Sequence, residues 1–242
     1  MDFALDTFRW LTDPANHSGP NGIPVRLWEH VQVSFLALFL ATLLALPIGL
    51  LIGHTGRGEF FAVSVANIGR ALPSFGILGI VFPLTLGVLP GFGYYPTLIA
   101  LFLLAIPPIL TNAYVGVQNV DRETVEAARG MGMSGRQVLA KLEVPLAAPL
   151  IVAGLRTSAV AVVATATLGA VAAGPGLGRF IIDGFVTRNL AKAAGGAVLV
   201  AVRAILTELA FGLLERSLTP RTSSQGRRRT PRAGGIATPE TA

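Results

Sequence analysis

The sequence predicts an all-α, polytopic membrane protein with about five to six transmembrane helices. Hydrophobic residues make up 52% of its 242 residues and charged residues only 13%, where a soluble domain carries roughly 25%. Uncharged runs of bilayer length recur along the chain, and the basic residues gather between those runs instead of forming one basic face. An ordinary soluble enzyme is thereby excluded. With no Cys and 28 Gly, disulfide frameworks, thiolate metal sites and cysteine nucleophiles are excluded too.

Residues 1–30 read as an extracytoplasmic or interfacial segment. Asp2, Asp6 and Asp13 stand where a secretory signal needs positive charge, and the first apolar run begins only after Trp28, so that run is expected to stay as a permanent helix. Ser34 to Ile52 is uncharged and holds twelve Leu, Ile and Phe residues. At roughly −0.5 kcal/mol each they favour insertion by about 6 kcal/mol. Its Gly49 and Gly53 make a small-xxx-small pair, which either seats a neighbouring helix or reflects the glycine-rich composition.

Phe60 to Leu89 is too long for one upright span and carries Asn67, Arg70 and Pro73 in its first half. The expectation is a polar approach from the cytoplasmic side, a kink near Pro73 and a span ending before the Pro90-Gly91-Phe92-Gly93 turn; the alternative is two shorter helices. Pro96 to Val117 spans again, with Pro107-Pro108 midway, and non-ideal backbone at that depth must be buried or face a cavity. Leu146 to Ala173 is the next span; its one charge, Arg156, either snorkels or pairs with an acid. Gly174 to Gly178 cannot hold a helix, and Phe180 to Leu190 reads as a short mixed stretch.

Gly195 to Leu214 is the weakest span, because Arg203 and Glu208 offset its aliphatic residues. Standing five apart, those two do not share a helix face, so pairing with other helices is expected. The transmembrane domain thus covers 31–216, and the Ser, Thr, Pro, Gly and Arg of 217–242 read as a disordered basic tail. With the N-terminus outside, Arg57, Arg122, Arg129, Arg136, Lys141, Arg216 and the tail arginines share one side, which is then cytoplasmic; Arg9, Arg26, Arg179, Arg188 and Lys192 lie on the other. A topogenic tail accounts for Arg227 to Arg229 without nucleic acid.

Between the third and fourth spans, residues 118–145 form a charged loop of about thirty residues, and long ordered loops usually have a task. Asp121 can cap a helix over Arg122 to Arg129, Gly130 and Gly132 interrupt it, Ser134 with Gln137 makes a capping box, and Pro145 is expected to stop the second helix. Small Ala127 and Ala128 permit close approach, and Gly132 permits a turn that a Cβ would obstruct. Helix, glycine break and helix make a knob suited to a groove on a partner.

Glu126-Ala127-Ala128, three residues, Gly132, nine residues, then Leu142-Glu143-Val144-Pro145 resembles the EAA loop of binding-protein-dependent ABC importer permeases. The family pattern ends Ile-x-Leu-Pro; Leu142 and Val144 depart from it by volume-conserving swaps. The resemblance implies a type-1 importer permease fold and a coupling loop received by a separate ABC ATPase subunit, with Glu126, Ala127, Ala128, Gly130, Gly132, Leu142 and Pro145 in that role. It further implies an extracytoplasmic substrate-binding protein, a second permease subunit as homo- or heterodimer, and the cytoplasmic (inner) membrane and its lipid as surroundings. No cofactor is expected on this chain, and ATP would be used by the partner, since no G-x-x-x-x-G-K-[ST] stretch occurs. Gly130 to Gly135 spells G-x-G-x-x-G, but it follows a helix and lacks a βαβ setting.

Within the family the wording is most similar to permeases for osmoprotectants such as glycine betaine, choline or carnitine, at Leu27 to Val31, Asn67 to Ser74, Glu126 to Val138 and Gly154 to Thr157. The resemblance implies that an aromatic cage for quaternary ammonium belongs to the binding protein; in this chain Trp10, Trp28, Tyr94 and Tyr95 read first as interfacial anchors. Thr111, Asn112, Ser158, Thr165 and Thr167 are the candidates for a path of low affinity; the alternative for each is a bond to its own helix backbone. His17, His30 and His54 are scattered without metal-ligand spacing. The rivals are a permease for another small solute, such as an amino acid, and an ion-driven secondary transporter. The latter needs internal repeats and a buried coupling carboxylate; no repeat is visible, and Glu208 is the one intramembrane acid.

Overall fold

The computed structural model describes residues 3–89 and 92–218. The Pro90-Gly91 turn, the Arg70 side chain and the tail from 219 lie outside the described residues. What is described is helical throughout: α1 (Phe3–Thr12), α2 (Ile23–Thr55), α3 (Glu59–Ala71), α4 (Ser74–Thr85), α5 (Tyr94–Gln118), α6 (Arg122–Gly130), α7 (Gly135–Val138), α8 (Val144–Thr165), α9 (Gly178–Val186) and α10 (Leu190–Leu218). A π-turn, Leu139–Glu143, joins α7 to α8, and a 3-10 turn, Ala166–Ala172, extends α8.

Four helical stretches are long and apolar enough to cross a membrane, and the bent pair α3 and α4 makes a fifth if counted as one span. Phe35, Leu43, Leu84, Leu206 and Leu213 are each at least 60% exposed, and this outward apolar band matches hydrocarbon, not water.

The core is the seam of α2, α5 and α8. Along α2, Val33, Ala37, Ala41, Ala45 and Gly49 are buried at four-residue spacing, a ridge of small side chains that lets a neighbouring backbone approach. Gly49 and Gly53 do seat another helix: a Cβ on Gly49 would fall 2.7 Å from Ala113 Cβ, and one on Gly53 2.6 Å from Val117 Cβ, both on α5. On the other side of α5, a Cβ on Gly154 of α8 would meet Asn112 Cβ at 2.6 Å, and Ser158 donates to the Ala105 carbonyl at 2.9 Å.

Several sequence expectations change here. α2 begins at Ile23, not after Trp28, and its 33 residues make a rod of about 50 Å that outreaches a hydrocarbon core of ~30 Å. The kinked single span predicted over Phe60 to Leu89 is instead two helices bent by 92°. Pro73 has no N–H to donate and drives Leu72 into extended backbone (φ −79°, ψ 122°), so α3 ends there. α5 continues through Pro107-Pro108 and is covered at that point, Pro107 being buried where Gly69 of α3 leaves room for its ring. Phe180 to Leu190 holds most of a helix, α9, because Leu177 and Phe180 are buried under α10 and bring order to a glycine-rich stretch.

Trp10 is not only an interfacial anchor. It packs edge-on against Phe180 at 5.2 Å and fills the space left by Gly195, holding α1 on α9 and α10. Trp28 is 61% exposed, whereas Tyr94 and Tyr95 pack on the core. At the same end Glu29 accepts from the Gly176 backbone N–H at 3.0 Å and from Arg26 at 2.9 Å. That end therefore gathers α1, the start of α2 and the segment before α9. The opposite end of α2 meets the knob.

One basic side chain inside the span region, Arg156, is paired across helices. Arg156 on α8 donates to Glu208 from Nε at 2.9 Å and to Glu215 from Nη1 at 2.8 Å, both on α10, which resolves the choice between snorkelling and pairing. Arg203 is not part of this cluster, and its Nε is buried with no partner among the described residues.

Candidate functional site

The knob between α5 and α8 is built from caps inward. Asp121 accepts from the Thr124 hydroxyl at 2.8 Å and from its backbone N–H at 3.2 Å, and these bonds hold the Asp121 carboxyl below the ordinary carboxylate range. α6 follows. Glu126 lies on its exposed face, where Arg122 Nε donates to it at 3.0 Å across one turn. Ala127 faces outward, but Ala128 is only 3% exposed. Ala127 is thus the alanine open to the outside, while the small Ala128 side chain lets the knob pack on itself.

Gly130 ends α6 in ordinary helical backbone, with open space around it. Gly132 has φ +87° and nothing within 4 Å of where a Cβ would stand. The requirement for glycine there is one of backbone conformation; no neighbour crowds the position, contrary to an obstructing Cβ. Between the two, Met131 projects at 77% exposed, an apolar tip that the sequence reading passed over.

Ser134 N–H donates to Gln137 Oε1 at 2.8 Å, the capping box expected there. Pro145, however, does not stop the second helix. Helical backbone continues from Gly135 to Ala172 because Pro145 sits in the first turn of α8, where a missing N–H is tolerated, and the π-turn just before it shifts the bonding register. The knob is thus one separate helix, α6, plus a downward extension of α8 through the π-turn. Leu142 is half-buried and Pro145 exposed.

Glu143, the variable position of the motif's last four residues, is 4% exposed. Its Oε2 accepts from His54 Nδ1, in the last turn of α2, at 2.5 Å. A Cβ on Gly135 would stand 3.4 Å from the other ring nitrogen of His54. No local pattern marks this pairing, since 89 residues separate the two side chains.

The candidate path residues do not form one surface within the chain. Ser158 is fully buried and bonded into the α5–α8 seam, so it serves packing instead of lining a path. Asn112 Nδ2 donates to the Pro108 carbonyl at 2.8 Å and Thr167 to the Ala164 carbonyl at 2.8 Å, both within their own stretch of helix. Thr111 Oγ1 is buried with no partner among the described residues. Thr165 lines a narrow crevice with Ser74, Thr97 and Gly169. A larger cavity of about 310 Å³ at the α3–α4 break is lined by Val65, Ile68, Leu72, Ile77 and Leu103 among others, all apolar, and offers a charged solute nothing to bind.

Comparison with known proteins adds an independent line. The profile of the family described as "Binding-protein-dependent transport system inner membrane component" matches residues 45–223. The carnitine transport permease protein OpuCB of Listeria monocytogenes is 36% identical over 203 residues, covering 84% of this chain and 91% of that protein. The choline transport system permease protein OpuBB of Bacillus subtilis is 35% identical over 195 residues, covering 81% and 88%. Among solved structures, a chain of the MetNI methionine ABC transporter in inward-facing conformations superposes with a TM-score of 0.71 at 23% identity, over 81% of this chain and 96% of that one. At that identity the likeness shows the fold.

Proposed function

The chain belongs to the family of binding-protein-dependent transport system inner membrane components, and from that premise we propose that its cargo is a quaternary ammonium osmoprotectant such as carnitine, choline or glycine betaine. The observation that carries the proposal is its 35–36% identity, over four fifths of its length, to permeases named for carnitine and choline. The chain is a membrane-spanning permease subunit of an importer. Its energy comes from ABC ATPase subunits that dock on 118–145, with Glu126, Ala127 and Gly132 at the contact and Met131 beside them. Substrate arrives from an extracytoplasmic binding protein at the end where α1 and α9 lie, so the N-terminus is outside and the knob cytoplasmic. A second permease subunit completes the path, to which Thr111 and Thr165 are the polar groups this chain is best placed to offer. Alternating access follows from ATPase closure transmitted through the knob.

Two features support this reading over an ion-driven carrier. The knob has outward Glu126 and Ala127 on a capped helix with little else to do. The intramembrane acid, Glu208, is neutralised by Arg156 and is not free to carry a coupling ion.

The test is a mild-detergent pull-down of the tagged full chain from its host, comparing wild type with Gly132→Asp, followed by uptake of radiolabelled glycine betaine, choline and carnitine. Recovery of an ATPase with wild type and its loss with the variant is the expected result. A chain that recovers no ATPase in either form, or a variant with undiminished uptake, refutes the coupling role. Uptake of an amino acid in preference to all three ammonium compounds refutes the cargo.

A further inference from the structure

On the reading that the knob couples to an ATPase, we propose that His54 and Glu143 are a positioning pair that fixes the coupling segment to the first long helix, so that force applied at α6 and α7 reaches α2 instead of being absorbed within the segment. His54 bonds the segment at one end and faces it at the other. Its Nδ1–H donates to Glu143, the last residue of the π-turn, and its far nitrogen faces Gly135, the first residue of α7, with room there for no more than a Cβ.

The segment needs such an anchor. α7 is a single turn at the end of the helical backbone that runs into α8, and a terminal turn frays because few bonds hold it. The π-turn that follows is a wider, weaker ring than α-helix. Two soft pieces in series would flex before they transmitted a push. A side chain from the end of α2, bonded to the last residue of the π-turn and facing the first residue of α7, converts them into one body with α2.

Glu143 supplies the energetic part of the anchor. Its side chain is 5% exposed, and His54 is its side-chain hydrogen-bond partner among the described residues. A buried carboxylate that loses its donor keeps the desolvation cost and has no return for it, so the docked arrangement is disfavoured without the imidazole. Arg57 and Lys141, the nearest cations in sequence, are both exposed and make no bond to it.

The chain has no native Cys, so spin labels can be placed on Leu51→Cys in α2 and Arg136→Cys in α7, both exposed, in the full-length chain in lipid nanodiscs. Wild type is expected to give one narrow distance distribution. His54→Ala is expected to raise a second, broader population about tenfold, the factor that ~1.4 kcal/mol represents. His54→Asn, which keeps an N–H near the Nδ1 position, is expected to restore the narrow distribution. If the alanine variant does not accumulate, Glu143→Gln makes the same reading by removing the charge while keeping the shape. An unchanged narrow distribution in His54→Ala or Glu143→Gln overturns the proposal, and so does failure of His54→Asn to rescue.

The second readout uses the chain in proteoliposomes with its co-isolated ATPase, with glycine betaine as the probe. His54→Ala is expected to lower uptake per ATP hydrolysed about tenfold while ATP hydrolysis continues. A parallel fall of both would mark a merely structural role and overturn the proposal. If wild type recruits no ATPase, the functional reading fails while the label distances still decide the anchor.

Discussion

Gly130 and Gly132 stand two positions apart and answer to different constraints. Gly132 holds φ +87°, so Gly132→Ala is expected to strain the turn by about 1–2 kcal/mol. Gly130 is helical and uncrowded, so Gly130→Ala is expected to favour α6 by up to about 1 kcal/mol. Amide exchange across α6 and α7 checks both: faster in the first, slower or unchanged in the second. Asp121 adds a pH dependence. Its carboxyl is held below the ordinary range, so its capping contribution is complete above about pH 4 and is lost as the pH falls further, through the folded value. Exchange at Thr124 should therefore accelerate only in acid, and Asp121→Asn should remove that dependence.

At the scale of elements, the small-residue ridge of α2 decides how closely α5 can lie. Gly53→Leu places a side chain where Val117 already stands, and a loss of about 1–3 kcal/mol is expected as a lowered unfolding temperature in detergent. Gly79→Leu, on the open face of α4, is the control and should leave the melting temperature unchanged. The attachment of α10 rests on charge. Arg156→Gln takes from Glu208 its Arg156 ion pair and from Glu215 one hydrogen bond, and is expected to lower the melting temperature and expose α10 to protease. The Gly49-xxx-Gly53 pattern was visible in the sequence, but the alanines at 37, 41 and 45 that extend it look like ordinary membrane composition until a neighbouring helix gives them a shared face. Pro145 shows the opposite case: proline is a helix stop by local rules, and only the preceding π-turn makes it a helix start.

The whole molecule is sided. α1 and α9 gather at one end of the α2–α5–α8 seam and the knob at the other, with His54 at the knob end and Glu29 at the α1 end. A single Cys at Ser18 is expected to react with a membrane-impermeant reagent in intact cells, and one at Ser134 only after the membrane is opened; both positions are exposed. Reversed labelling would invert the topology and place the knob away from cytoplasmic ATP. The knob motif was legible because its parts are local: caps, a glycine turn and fixed spacing all act within thirty residues. The path was not legible, because a hydroxyl's role depends on which helix it faces, and Ser158 and Asn112 both turned to backbone carbonyls within the protein.

By itself the sequence determined that the chain is helical and membrane-spanning, where its spans lie to within a few turns, and which segment is the knob. These follow from hydropathy, charge placement and capping, which act over one helix or less. Tertiary structure decided what depends on distant partners: that Arg156 is neutralised by α10, that α3 and α4 fold apart at Pro73 with Pro107 lodged over Gly69, and that Glu143 is buried against His54. Each of those is a contact between residues far apart in the chain. Burial turns such a contact into a requirement, because a polar group removed from water must find its partner inside the protein.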